Sequence, residues 1–537
     1  MKKQQAIALF HQGKKEEALN AFTELLKKHS HDADIHCHLG LIKEQLGDVP
    51  EAVKHYRDAL DINPDLISAL ANLGNHLKNC GLTSAALEMY ERAMGLNCQN
   101  SVMISNYANV AISAGKHSKC YELYLQAIAL MPENFNARSN FLISTLYTNT
   151  YSPQQIFEFH KDYSNACREK AIEIKPYRHS KIRVAYVSGD FKRHSVAYFI
   201  EGILHYHDRD QFEVFCYSDV VREDDISSRI KSSDLTWRKI FGLNDELTRQ
   251  QILEDEIDIL VDLGGHTGKR QQMYAKRCAP LQATYLGYAE TTGLKNMDIR
   301  IVDEITDAPD FSASEKIIKL KRCFLAFCPP ALDSTVTDSP CLTNGYLTIG
   351  SFNNLSKVTG EVIRLWIRIL KEIKNSKILL KSKCFKDSTL RQEFLTQFTQ
   401  RGIAADRVEL LGYEDSLGSH LDLYKRLDIA LDTFPYNGTT TSCEALHMGV
   451  PLITLEGKNR HAARVSGSIL QAIGLPSLIA KNKKHYVELV KNLAQDTTAL
   501  NRLRHSIRPL LHGSSLCNSK DLTQHIETVF KEELRLS

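Results

Sequence analysis

The chain has 537 residues, which at about 150 residues per domain gives three to four domains and excludes a small stapled scaffold. With 43% apolar and 24% charged residues it has the composition of a folded soluble protein, far from that of a disordered one. Its 67 basic and 64 acidic residues leave a net charge of +3, too small for nucleic acid or an anionic membrane to be the main partner, so any anion site must be local.

The chain starts MKKQQAIALFHQGKKEEA, which returns to charge too soon for a signal peptide, and no run approaches the roughly 18 apolar residues of a spanning helix, so a cytosolic or nuclear protein is expected. Residues 1–140 then repeat. Gly13, Gly47, Gly81 and Gly115 recur every 34 residues, and the same step links Ala6, Gly40, Gly74 and Ala108; Ala18, Ala52, Ala86 and Cys120; Phe22, Tyr56, Tyr90 and Tyr124; and Ser30, Pro64, Cys98 and Pro132. Each unit reads as a helix pair with small residues at the crossing, glycine in the turn, an aromatic wedge on the second helix and a breaker behind it. The pattern resembles the tetratricopeptide repeat. One pair cannot bury its own apolar face, so neighbours stack into an α superhelix whose concave surface is expected to take polypeptide partners. A scaffold or a homo-oligomer contact through the repeats is the alternative. Residues 141–178 read as a helical cap and linker, with a break at Ser152-Pro153 and Pro176 closing the helical part.

From Lys181 the period changes. The runs IRVAYVS, FEVFCYS, IDILVDL, ATYLGY and IRIVD alternate with helical segments, which predicts a parallel α/β lobe over 179–335. After the connector FCPPALDSTVTDSPCLTNG the series restarts with YLTIGSFN, KILLKS, RVELLG, DIALDTF, PLITLE and SLIAK, giving a second lobe over 345–537 that ends in an amphipathic closing helix, Lys520 to Leu536. Two Rossmann-like lobes in tandem place a ligand in the cleft between their strand ends. Neither carries GxGxxG or GxxxxGK[ST], so a dehydrogenase and a P-loop enzyme both lose support. The 13 cysteines show no CxxC, the nearest pair being Cys323 and Cys328, and reduced thiols are expected.

In LDTFPYNGTTTSCEALHMGVP a strand ends near Phe434, turns through Pro435 and Asn437-Gly438, and a helix begins among Thr439, Thr440 and Thr441. Free N–H groups and hydroxyls at such a start can hold a phosphate, and Glu444, one turn on, can accept from ribose hydroxyls. The alternative is an ordinary threonine cap with a solvated glutamate. At another strand end, SFNNLSKVT offers Asn353 and Asn354 as hydrogen-bonding groups and Lys357 as the cation a departing diphosphate needs. In the first lobe, Asp190 and His194 follow the strand IRVAYVS, and His194 is the candidate general base. The segment DLGGHTG places His266 in an exposed position beyond Gly264 and Gly265. For either histidine a structural hydrogen bond is the alternative. The DxD-like triplets Asp32-Ala33-Asp34 and Asp208-Arg209-Asp210 lie away from a donor strand end, and no metal-ligand cluster is seen.

The repeat array followed by YVSGDFKRHSVAYF, ILVDLGGHTG, APLQATYLGYAETTG, GSFNNLSKVT, LDTFPYNGTTTSCEALHMGVPLIT and GSSLCN resembles the protein O-GlcNAc transferase family, in wording its SPINDLY-type branch. The resemblance implies a GT-B fold of two Rossmann-like lobes behind the superhelix. It also implies an inverting, metal-independent transfer of GlcNAc from UDP-GlcNAc to Ser or Thr of polypeptides, with no cofactor. By resemblance Lys357 holds the donor diphosphate beside Asn354, Thr440 and Thr441 bind phosphate, and Glu444 replaces a ribose-contacting aspartate. His420, eight residues before Asp428, lies near the nucleotide, and Thr439 stands where animal members carry histidine. His194 is implied as base or acceptor-site residue, with Asp190 and His266 assigned to the acceptor or sugar site. The SPINDLY pattern keeps GDP-fucose open as donor. An inactive scaffold and a non-protein acceptor are further alternatives, and the large domain inserted between the lobes of animal members has no room here.

Overall fold

In the computed structural model, which describes residues 2–168, 173–308, 310–330, 335–412, 414 and 416–535, the repeat becomes four helix pairs. They are α1 (Lys3–His11) and α2 (Lys15–Lys28), α3 (Ala33–Gln45) and α4 (Val49–Ile62), α5 (Ile67–Asn79) and α6 (Thr83–Gly95), and α7 (Ser101–Ser113) and α8 (His117–Leu130). The turn glycines at 13, 47, 81 and 115 have φ of 77°, 88°, 82° and 73°, the left-handed region in which a side chain is costly. At the crossings, a Cβ on Gly40 would lie 2.6 Å from the Tyr56 ring, and one on Gly74 2.8 Å from the Tyr90 ring. The wedge therefore selects the small residue. The Tyr90 and Tyr124 hydroxyls donate to Asn75 and Asn109 at 2.7 Å each, which satisfies the polar end of a buried ring.

These helices form one compact unit, residues 1–137 together with 383–394. The second segment corrects the expectation that 345–537 is wholly a lobe. Asp387 accepts the Ser84 N–H at 2.6 Å and Lys383 donates to the Asn79 carbonyl at 2.8 Å, long-range bonds that no local pattern announces.

The other unit comprises residues 138–382 and 395–537. Its first lobe has β1 (Ile182–Ser188), β2 (Phe212–Ser218), β3 (Thr236–Lys239), β4 (Ile259–Asp262), β5 (Leu281–Tyr285), β6 (Ile299–Asp303) and β7 (Lys316–Leu320), ordered β3-β2-β1-β4-β5-β6-β7. β1 is the pivot, with Val184 paired to Val214 on one side and to Ile259 on the other, both parallel. The second lobe has β8 (Leu347–Ser351), β9 (Ser376–Lys381), β10 (Val408–Leu411), β11 (Ile429–Leu431), β12 (Leu452–Leu455) and β13 (Ile479–Ala480). Its order β10-β9-β8-β11-β12-β13 repeats the doubly wound plan, with the order of strand addition reversing between β8 and β11 as it does between β1 and β4, all of them parallel.

Two further findings depart from the sequence reading. The closing helix, Ser519–Leu534, packs on the first lobe: Glu527 accepts from His207 Nδ1 at 2.9 Å and from the Asp208 N–H at 2.8 Å, and Glu533 pairs with Lys316 at 2.7 Å. Residues 138–168 are also built into this unit. Ser152 caps the helix Pro153–Ala166, His160 Nε2 meets the Tyr288 hydroxyl at 2.7 Å, and Arg460 donates to the Thr148 carbonyl at 2.7 Å, so the cap holds on to both lobes. Linker residues 169–172, connector residues 331–334 and Leu536 lie outside the described residues.

Candidate active site

The segments after β1 and β4 in one lobe and after β8 and β11 in the other converge on a cleft of about 440 Å³. These are the strand ends flanking the two reversal points, where open α/β sheets bind ligands. Asp190 and His194 line it from the first lobe, and Asn354, Lys357 and Thr439 to Thr441 from the second.

On the second lobe the construction starts at Asp432, fully buried just beyond β11. Its Oδ1 accepts the Thr433 and Gly438 N–H groups at 2.9 and 2.7 Å, and Oδ2 accepts the Thr454 hydroxyl at 2.7 Å. This pins the PYNG loop. A Cβ on Gly438 would meet the Ser442 and Thr441 hydroxyls at 2.5 and 2.6 Å, so glycine lets the loop run close to the helix it feeds. That helix is Thr440–His447, and the Thr439 side chain makes no capping hydrogen bond, which removes the ordinary-cap alternative. Thr441 donates to Asn353 Oδ1 at 3.0 Å, while the buried Thr440 hydroxyl has no partner. The helix start therefore offers uncapped N–H groups and an unengaged hydroxyl.

Lys357 ends the short turn Leu355–Lys357, capped by Asn354 Oδ1, which accepts the Ser356 N–H at 3.2 Å. Its Nζ donates to the Asn437 carbonyl at 2.8 Å and lies 4.3 Å from the Tyr436 ring centroid, which fixes the cation beside the loop. Burial pushes the amine down to about 8, and the nearby Asp432 opposes that shift.

Glu444 is 7% exposed, so the solvated alternative fails. Its Oε2 accepts from His420 Nε2 at 3.0 Å and from the Tyr424 hydroxyl at 3.2 Å, and His420 Nδ1 is in turn hydrogen-bonded to Lys381 Nζ. The structure thus brings Asn354, Lys357 and the three threonines together on one wall of the cleft, while Glu444, one turn further along the helix Thr440–His447, and its bonded partner His420 sit behind that wall and not among the residues lining it. Across from them, His194 Nδ1 lies 3.5 Å from Asp190 Oδ2 and accepts the Val196 N–H at 3.3 Å. Burial lowers the His194 pKa, and the Asp190 carboxylate works against that.

His266 is not exposed. It is 1% accessible, with Nδ1 bonded to the Ser139 hydroxyl at 3.0 Å and Nε2 to the Thr292 carbonyl at 2.9 Å. Burial drives its pKa down to about 3, and its two nitrogens are committed to the fold, so it leaves the acceptor-site assignment. The sequence reading missed Asp432, Tyr436 and His461. His461 also lines the cleft, held by Asp307 at 2.7 Å, a carboxylate that Arg300 and His461 pull down to about 2. No spacing links residues 307 and 461; for Asp432 the available signal was an acidic residue closing the buried strand in LDTF.

A model of Glycosyl transferase family 41 matches residues 159–327 and 335–526, and a Tetratricopeptide repeat model matches residues 3–67. The chain is 40% identical over 408 residues to the Arabidopsis thaliana protein named "Probable UDP-N-acetylglucosamine--peptide N-acetylglucosaminyltransferase SPINDLY", an overlap of 74% of this chain and 44% of that one. Against the Arabidopsis protein of the same naming with the suffix SEC it is 28% identical over 342 residues, 61% of this chain and 34% of the other. The chain thus spans less than half the length of these curated relatives. A solved structure of a Thermobaculum terrenum O-GlcNAc transferase mutant is similar with a TM-score of 0.87 at 30% identity, covering 94% of this chain and 97% of that one. With the family match running from the helix before β1 through both lobes into the closing helix, this chain belongs to glycosyl transferase family 41.

Proposed function

We propose that the chain is an inverting, metal-independent protein O-glycosyltransferase that moves GlcNAc from UDP-GlcNAc to Ser and Thr hydroxyls of polypeptides. The observation that carries this reading is the uncapped start of the helix Thr440–His447, with its unpartnered Thr440 hydroxyl, beside the Lys357 cation in one cleft. Oriented N–H groups and a fixed cation stabilise the charge that a departing nucleoside diphosphate gathers, which is the work a divalent ion does elsewhere. Glu444, steadied by His420, offers Oε1 to a ribose hydroxyl. An acceptor hydroxyl attacks the anomeric carbon from the face opposite the diphosphate. Its new C–O bond forms as the sugar–phosphate bond breaks, and its proton passes to His194 or to a phosphate oxygen of the donor. The superhelix presents the polypeptide. The alternative donor is GDP-fucose, to which the SPINDLY-like wording at Thr439 and in the GGHT segment points.

Donor turnover is expected to survive excess chelator; loss restored by magnesium or manganese would refute metal independence. UDP and GDP at matched concentration separate the donors, since a ligand at a hundred times its Kd stabilises by about 2.7 kcal/mol. Protection by GDP alone, with a deoxyhexose mass on the acceptor, would move the assignment to GDP-fucose.

A further inference from the structure

We propose that the repeat unit carries a site for one divalent transition-metal ion of the zinc type, held by His36, His55 and Asp58. His36 lies on α3, and His55 and Asp58 lie one turn apart on α4, its partner in the same helix pair. One ligand atom from each residue lies within 4.8 Å of the other two. His36 Nδ1 is 3.1 Å from His55 Nδ1 and 3.7 Å from Asp58 Oδ2. Ligands bound 2.0–2.1 Å from a tetrahedral zinc stand about 3.3 Å apart, a spacing the two His36 distances match to within a few tenths of an ångström, with the third pair inside 4.8 Å.

The chemistry of the three groups selects the ion. Two imidazoles and one carboxylate suit zinc, cobalt, nickel or copper, whereas magnesium and calcium require oxygen-rich shells. Three protein ligands leave a fourth position for water. Asp58, with its side chain 37% exposed, gives the ion a way in from solvent, while His36 is only 9% exposed and anchors the inner side. An ion here ties α3 to α4 across the turn at Gly47, so binding and stability of the repeats are linked. The site escapes a sequence search because 19 residues separate the two histidines and the helix pair alone brings them together. None of the cleft residues takes part, so the inference stands apart from the transferase reading.

The test uses the full chain stripped with a chelator and exchanged into metal-free buffer. Zinc is titrated against a chromophoric competitor, and cobalt is added separately to record the visible absorption of a tetrahedral centre. The proposal expects one equivalent bound with a Kd on the order of 1 μM or tighter, a higher melting temperature with zinc, and loss of that equivalent in the His36→Gln/His55→Gln variant. Asp58→Asn, at the exposed rim, serves if the double variant does not fold, and should weaken zinc by about tenfold, roughly 1.4 kcal/mol. Absence of binding at roughly 100 μM zinc, or equal stoichiometry and affinity in wild type and variants, would reduce the two histidines to a hydrogen-bonded pair and overturn the site.

Discussion

In the proposed function, Thr440 and Lys357 are the residues at which folding and ligand binding make opposite demands. A buried hydroxyl without a partner costs stability, so Thr440→Val is expected to leave the melting temperature of the free protein unchanged or raised. The same change should weaken UDP binding about tenfold, the scale of a charge-assisted hydrogen bond, as read by calorimetry. A lower melting temperature with unchanged affinity would assign Thr440 to the fold. Lys357→Ala should lower kcat about a hundredfold, on the order of 3 kcal/mol, with little loss of thermal stability. Its pH dependence has a definite sign. With the free amine near 8, Lys357 is a cation below that pH and loses its proton above it. Diphosphate affinity therefore falls as the pH rises past 8, by up to about tenfold per unit, and Lys357→Met should flatten that limb. These residues were legible because a strand end and a helix start are local features. His266 was not, since its partners Ser139 and Thr292 lie 127 and 26 residues away and only the fold shows that both ring nitrogens are taken.

Among the elements, those with a buried pattern could be read directly, and β1, β2 and β6 coincide with the runs IRVAYVS, FEVFCYS and IRIVD. The two missed strands, β3 and β7, form the edges of the first sheet. TWRK and KIIKL are largely half-exposed or exposed and each carries two basic residues, as edge strands do to discourage further pairing, so they lack the apolar run that marks a central strand. The closing helix shows a related limit: amphipathicity predicts that one face is buried but not which lobe buries it. The helix crossings are more determinate. Gly74→Ala would drive a methyl into the Tyr90 ring, and overpacking of this kind costs about 1–3 kcal/mol. Thermal melting should show the loss, while donor hydrolysis by the variant at a permissive temperature should stay near that of the wild type. An undiminished melting temperature would mean that the wedge does not hold the pair together.

For the whole molecule, the proposed division of labour puts polypeptide selection in the superhelix and donor chemistry in residues beyond 180. Deleting residues 1 to about 120 should then impair modification of protein targets more than slow hydrolysis of the donor, with circular dichroism establishing that the truncation folds. Equal loss of both activities in a folded truncation would make the superhelix a support for the lobes. This organisation was legible through the 34-residue step and the restarted strand series, whereas the assignment of 383–394 to the repeat unit was not, because it rests on bonds spanning about three hundred residues. The central claim is that the cleft transfers a sugar to polypeptide hydroxyls with Lys357 neutralising the diphosphate. It is tested most directly by intact-mass analysis of a Ser/Thr-bearing polypeptide incubated with UDP-GlcNAc and excess chelator, comparing wild type with Lys357→Ala. The account predicts an N-acetylhexosamine added per UDP released by the wild type and almost none by the variant; equal sugar addition by both proteins, or UDP release with no mass gained by any polypeptide, would contradict it.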